Sequence, residues 1–355
     1  MPADASTEAA VTSAWQRRGL LAWLLSPFAL LYAALLLLRR AAYAAGLLRA
    51  EHVGVPVVVV GNLYVGGTGK TPLAIELVRA LQRRGWRPGV VSRGYGGTAR
   101  PARLVDAEAT ATEVGDEPLL IARATQVPVA VGSDRVAAVR ELLRAHSDCD
   151  VIVADDGLQH LRLARDAEIA LVDERGLGNG WLLPAGPLRE PASRLERVDA
   201  VVLRGAPTVT WTTPSFEMLT RLADEAHRLG NRSHTMPLAE LARRQAAGSL
   251  RMTAAAGIGV PERFFVMLRA AGLDFEPLPL PDHYDFRDNP FARLRSHLVL
   301  ITEKDAVKCE RIEPLRKDPR IWVVPLAATI EERLIDLVVA RLTPHRKTAN
   351  GPSTA

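Results

Sequence analysis

An α/β fold built on a parallel sheet with helices on both faces is predicted by three features of the 355-residue sequence. Short apolar runs dominated by Val and Ile, at 56–60 and 151–154, have the composition of strands buried on both faces. Between about 52 and 205 such runs alternate with segments whose apolar residues recur at helical spacing, the order of right-handed crossover units. From Met252 the stretch MTAAAGIGVPERFFVMLRAAGLDFEPLPL reads strand, glycine turn, helix, strand, which predicts a second, smaller α/β lobe. The expected organisation is an N-terminal helix region (1–50), a core (51–205), a linker with the C-terminal lobe (206–345) and a polar, disordered tail (346–355).

Composition narrows the function. The 45 basic and 40 acidic residues are spread along the chain without a lysine-rich run, and few aromatics are available for stacking on bases, so nucleic-acid binding is not expected. The formal charge of +5 suits an anionic membrane face or an anionic substrate. Cys149 and Cys309 lie far apart without metal-ligand spacing, which supports neither a disulfide framework nor a zinc site and fits a reducing cytosol. No obligate protein partner is indicated.

Residues 19–38, GLLAWLLSPFALLYAALLLL, carry no charge and are bracketed by Arg17, Arg18 and Arg39, Arg40. At about 1.5 Å per residue such a helix is roughly 30 Å long, the thickness of a bilayer's hydrocarbon core. Pro27 is placed to kink it, and Trp15, Trp23, Tyr32 and Tyr43 are candidates for the interfaces at its ends. A membrane-associated helix is expected, either spanning or lying shallow. A cleaved signal is disfavoured by the length of the apolar stretch and the arginines after it. Basic residues at both ends leave its orientation open, but any part that uses ATP must face the cytosol.

The strand at 56–60 runs into YVGGTGKT and then into a segment, 71–84, with apolar residues at Leu73, Leu77, Val78 and Leu81. Gly69, Lys70 and Thr71 match the end of the phosphate-loop consensus GxxxxGK[ST], while Tyr64 stands where the leading glycine is usual and Gly66 and Gly67 follow it. A P-loop NTPase-like core is therefore expected. Backbone N–H groups from Gly66 to Gly69, Thr68 included, converge on phosphate at a helix N-terminus, Lys70 reaches the β- and γ-phosphates and the Thr71 hydroxyl ligates Mg²⁺. Pro72 fits the first helical turn. Magnesium also asks for an acidic partner at a neighbouring strand end, and DVIVADDGLQH supplies Asp155 and Asp156, which point to different faces of an extended chain, followed by Gln159.

Several further motifs have local readings of their own. In EVGDEP, Asp116 and Glu117 read as a helix N-cap and a first-turn glutamate. Arg189 and Glu190 in GPLREP read as an ion pair after a loop. Arg93 in VVSRGYGG reads either as a turn arginine or as an anion contact, its glycines allowing close backbone approach. TEKDAVK, after the apolar run 298–301, either lines a cleft or caps a helix, and Gly257 and Gly259 read as a tight strand-to-helix connection.

In order and spacing, GNLYVGGTGKTP, SRGYGG, VGDEP, VIVADDGLQH, LLPAGPLREP, PDHYDF and TEKDAVK closely resemble the tetraacyldisaccharide 4′-kinases, the lipid A kinases of Gram-negative bacteria, over about residues 19–342. In that family the shifted first glycine is the normal form. The resemblance implies transfer of the ATP γ-phosphate to the 4′-hydroxyl of an acylated glucosamine disaccharide 1-phosphate, with ATP and Mg²⁺, at the cytoplasmic face of the inner membrane. It makes Asp116 the general base with His283 of PDHYDF as partner. Asp156 and Gln159 become metal or water ligands with Asp155 beside them, and Arg189 and Glu190 contributors to the nucleotide pocket. Arg93 and Glu117 fall to the lipid substrate, Arg93 facing its anomeric phosphate. The rival reading is a membrane-associated ATPase switch whose loop reads KGGxGKT, but Val65 replaces that class's signature lysine.

Overall fold

The computed structural model describes residues 15–98, 101–205, 211–248 and 250–345. The expected polar tail, 346–355, lies outside them, as does part of the expected linker, 206–210. The chain forms two compact units: 1–92, 134–219 and 330–355 make the first, and 93–133 with 220–329 the second.

The first unit is built on parallel strands in the order Ser215–Leu222, Ala200–Arg204, Ala167–Asp173, Val57–Asn62, Val151–Asp155 and Pro88–Ser92. Every residue of Val57–Asn62 and Val151–Asp155 is buried, as continuous β-branched runs require when both faces are covered. The two strands pair directly, with Val59 opposite Ala154 and Val60 opposite Asp155. That register sets the acidic strand end beside the start of the glycine loop.

Helix Lys70–Arg83 follows the loop and packs on both strands. Its Leu73, Leu77, Val78 and Leu81 are fully buried, each contributing roughly 1.5–3 kcal/mol of transfer free energy. The apolar helix runs from Leu20 to Ala44, longer than the uncharged stretch, because Arg39 and Arg40 are good helix formers and continue it. It is long and apolar enough to cross a membrane, and of its residues only Ala22 and Ala29 are buried. In the first helical turn Trp23 meets the Trp181 ring edge-on at 4.8 Å, and in the middle of the helix the Tyr32 hydroxyl bonds the Arg189 carbonyl.

In the second unit a six-stranded mixed sheet has the order Asn231–Pro237, Glu225–Arg228, Ile321–Val324, Leu298–Thr302, Met252–Ala256 and Glu276–Pro279. The last four strands are parallel, and Glu225–Arg228 is antiparallel to both its neighbours. Phe264, Phe265 and Leu268 of helix Pro261–Ala270 join one core cluster, and Phe286 and Phe291 another. Gly257 makes the expected strand-to-helix turn, its N–H bonded to the buried Asp305 carboxylate at 3.0 Å. Helix Asp116–Thr125 packs against helix Glu303–Cys309, joined also by an Arg123–Glu310 ion pair.

Candidate active site

The glycine loop of the first unit is braced by side chains. Tyr64 is buried, with the Arg175 guanidinium 4.3 Å from its ring centroid. Arg175 bonds the Gly67 carbonyl at 3.0 Å and pairs with Asp173 at 2.8 Å. From the other side Asn62 donates to the Tyr64 carbonyl at 2.5 Å. The position that lacks a leading glycine therefore holds the loop by cation–π and hydrogen-bond contacts. At the helix start Gly69 has φ 97°, a left-handed conformation that favours glycine, with the Arg204 guanidinium lying close by.

A compact ion cluster lies at the strand ends. Lys70 donates to Asn62 Oδ1 at 3.0 Å and lies 3.5 Å from Asp156. Arg189 grips both carboxylate oxygens of Asp156, at 3.1 and 3.0 Å, and also bonds Asn62 Oδ1. Burial of Asp156 disfavours its charge, but Lys70 and Arg189 outweigh that and hold its carboxyl well below the usual carboxylate range. Its φ of 50° is a left-handed conformation that costs on the order of 1–3 kcal/mol and turns the side chain toward these cations. Asp155 faces the other way, fully buried, and accepts from Ser92 at 3.2 Å. The two carboxylates thus have different partners, but because Asp156 lies beyond the strand in a left-handed conformation and not because of the alternation expected of an extended chain.

These groups fit a magnesium-bound nucleotide. The Thr68 hydroxyl and the Gln159 amide nitrogen are buried without a hydrogen bond among the described residues, and Thr71 is buried in the first helical turn. A Cβ at Gly67 would meet nothing within 4 Å, which leaves room above the loop. Among the described residues no cluster of three or more His, Cys, Asp or Glu could hold a metal. A magnesium ion held by one or two carboxylates and phosphate oxygens needs no such cluster.

The second unit carries the other expected group. Thr110 and Glu113 form a capping box on the short helix Ala111–Val114, and Gly115 then serves as N-cap of Asp116–Thr125. Asp116 therefore opens the helix and does not cap it. A Cβ at Gly115 would lie 2.7 Å from the Tyr95 carbonyl, and one at Gly97 would lie 2.5 Å from that of Glu113. The glycines of SRGYGG and VGDEP thus allow two backbones to touch, and that contact fixes the point from which Asp116 projects.

Asp116, only 4% exposed, accepts from or shares a proton with His283 Nδ1 at 2.9 Å. Lys304 adds its ammonium at 3.8 Å from Asp116, 3.6 Å from Glu117 and 3.4 Å from Asp282. Burial pushes the Asp116 carboxyl up, but His283 and Lys304 prevail and its pKa is lowered. The hydrogen bond to Asp116 raises that of His283 against its partial burial. Burial works against the Lys304 charge, and the three carboxylates more than offset it. His283 also has positive φ, 60°.

The structure thus joins Lys70, Thr71, Asp156 and Arg189 in one unit, and Asp116, Glu117 and His283 in the other. Glu190 turns away from the loop, buried and paired with Arg40 and Arg194. Arg93 is exposed, with no hydrogen bond or ion pair among the described residues. Sequence reasoning missed Asn62, although a buried amide at a strand end before a glycine loop was a readable signal. It also passed over Arg175, which sits in an unremarkable glycine-rich turn, and left Lys304 as one of the four charged residues of TEKDAVK.

Strand, glycine loop and helix, with paired carboxylates at the end of the adjacent strand, define a P-loop kinase fold. The family model described as Tetraacyldisaccharide-1-P 4′-kinase matches residues 21–343. A tetraacyldisaccharide 4′-kinase of Herminiimonas arsenicoxydans is 52% identical over 340 residues, covering 93% of this chain and 94% of that one. That of Janthinobacterium sp. (strain Marseille) is 52% identical over 332 residues, covering 94% and 95%. A crystal structure of LpxK from Aquifex aeolicus in complex with ATP superposes with a TM-score of 0.76 at 30% identity, covering 91% of this chain and all of that one. The chain belongs to the tetraacyldisaccharide-1-P 4′-kinase family, and it is a lipid kinase and not an ATPase switch.

Proposed function

We propose that this protein transfers the γ-phosphoryl group of ATP to the 4′-hydroxyl of a tetraacylated glucosamine disaccharide 1-phosphate in lipid A synthesis. The observation that carries the assignment of roles is the 2.9 Å contact between Asp116 and His283, residues far apart in sequence and both of types that move protons. Asp116, kept ionised by its neighbours, takes the proton of the sugar hydroxyl as that oxygen bonds to phosphorus and the bond to the β-phosphate oxygen breaks. His283 orients the carboxylate. Lys70 exchanges Asp156 for phosphate oxygens, and the Gly66, Gly67, Thr68 and Gly69 amides hold them. Thr71 and Asp156, with Asp155 and Gln159 alongside, would hold Mg²⁺, which supplies neutralisation of the phosphate charge. Arg189 borders the nucleotide, with Glu190 behind it, while Arg93 and Glu117 serve the lipid, Arg93 as an exposed cation for its anomeric phosphate.

The same reading puts the protein on the cytoplasmic face of the bacterial inner membrane, with helix Leu20–Ala44 lying along the bilayer surface. Contacts at Trp23, Tyr32 and Arg40, each more than two turns from the next, tie the helix to the rest of the first unit, while Leu24, Leu31 and Leu35 face outward. A helix held along its length by a water-soluble body suits an interfacial position better than a perpendicular span.

The decisive experiment supplies γ-labelled ATP, Mg²⁺ and an acylated disaccharide 1-phosphate to the purified chain and identifies the modified hydroxyl. Label on the 4′-oxygen is expected, and Lys70→Ala is expected to reduce its transfer by about 100-fold or more. ATP hydrolysis without lipid phosphorylation would refute the proposal.

A further inference from the structure

Arg189 and Glu190 are neighbours in the chain, yet their side chains serve opposite ends of one network. The Arg189 guanidinium spans Asp156 and Asn62, and Asn62 Oδ1 also receives the Lys70 ammonium. Its backbone is pinned on two sides: its N–H bonds the Leu63 carbonyl at 2.8 Å, and its own carbonyl accepts the Tyr32 hydroxyl at 2.9 Å. Glu190 is 3% exposed and holds Arg40 and, at 3.3 Å, Arg194. Arg194 is tied in turn to Glu168 on the strand beside the glycine-loop strand. Polar contacts joined through the covalent Arg189–Glu190 segment therefore lead from two turns of the apolar helix to the phosphate-loop lysine.

We propose that Tyr32 and Arg40, on the apolar helix, are positioning residues for the nucleotide site, acting through the Arg189–Glu190 backbone on Arg189, Asn62 and Lys70. The proposal rests on the nucleotide reading above. It follows from geometry: a bidentate guanidinium–carboxylate pair tolerates little displacement, and from an otherwise greasy helix surface Tyr32 reaches the Arg189 backbone carbonyl while Arg40 reaches the Glu190 carboxylate. Membrane attachment alone calls for neither a hydroxyl in the middle of the helix nor a cation directed at a buried carboxylate. The helix thus has a second task, to hold the nucleotide site in register.

The test uses the full-length chain in detergent micelles with Tyr32→Phe, Arg40→Met, the double variant and the conservative Arg40→Lys. Three quantities are measured: the Kd for Mg-ATP by isothermal titration, flotation with phosphatidylethanolamine–phosphatidylglycerol vesicles, and the melting temperature without nucleotide. Each single loss is expected to weaken Mg-ATP by about fivefold, the effect of one buried hydrogen bond. Arg40→Lys should recover part of the loss, with vesicle flotation and ligand-free melting unchanged. A double variant that melts like the parent and binds Mg-ATP within about twofold of it would overturn the proposal. So would weaker binding that merely tracks a lowered melting temperature and is not recovered by Arg40→Lys. A parent that binds Mg-ATP but fails to phosphorylate the lipid would sink the functional reading while leaving the positioning test intact.

Discussion

At the scale of single residues the second unit's acid–base group is the most informative. Asp116 has a lowered pKa and His283 a raised one, each through the other, so the pair favours carboxylate and imidazolium. A raised histidine contributes stability that is complete below its unfolded pKa of about 6.5 and lost as pH rises through the folded value. The Asp116 contribution, from a depressed carboxyl, is lost only on acidification below its unfolded value. The melting-temperature gap between the parent and His283→Asn should therefore be wider at about pH 5.5 than at about pH 9, and an equal gap at both would remove the ion pair. In lipid phosphorylation Asp116→Ala should lower kcat by about 10²–10⁴-fold with folding preserved, whereas near-parental turnover would deny it the role of base. The pairing itself was legible only by family resemblance, since neither residue's neighbours in the chain point to the other.

At the scale of elements, loops do what strand and helix periodicity cannot. Gly115 combines φ 88° with a Cβ position 2.7 Å from the Tyr95 carbonyl. Gly115→Ala should destabilise the protein by about 1–3 kcal/mol, visible as a lower melting temperature, and reduce kcat because Asp116 is the next residue. The apolar helix offers a separate test. Leu24, Leu31 and Leu35 lie on one exposed face, and changing all three to Glu should abolish flotation with vesicles while ligand-free melting holds; retained flotation would place the membrane surface elsewhere. The existence of this helix, the phosphate-loop strand and helix, and the acidic strand was readable because each has a strong local pattern. The contacts of Tyr32 and Arg40 were not, because an apolar helix reads the same whether its occasional polar groups meet water, lipid headgroups or protein.

At the scale of the whole molecule, the chain shares its length between two units and passes between them more than once. By itself the sequence determined the α/β class, the phosphate loop with Lys70 and Thr71, the acidic strand end and the apolar helix. All of these follow from periodicity, backbone chemistry and residue type within a few turns of chain. Only the tertiary structure decided that residues 93–133 pack with 220–329, that Asp116 meets His283 and Lys304, and that Arg189 steadies Asp156. Such contacts join residues far apart in sequence. They are selected by how buried apolar faces fit and by which charges must be paired once water is removed, and neither condition is written in any short stretch of residues.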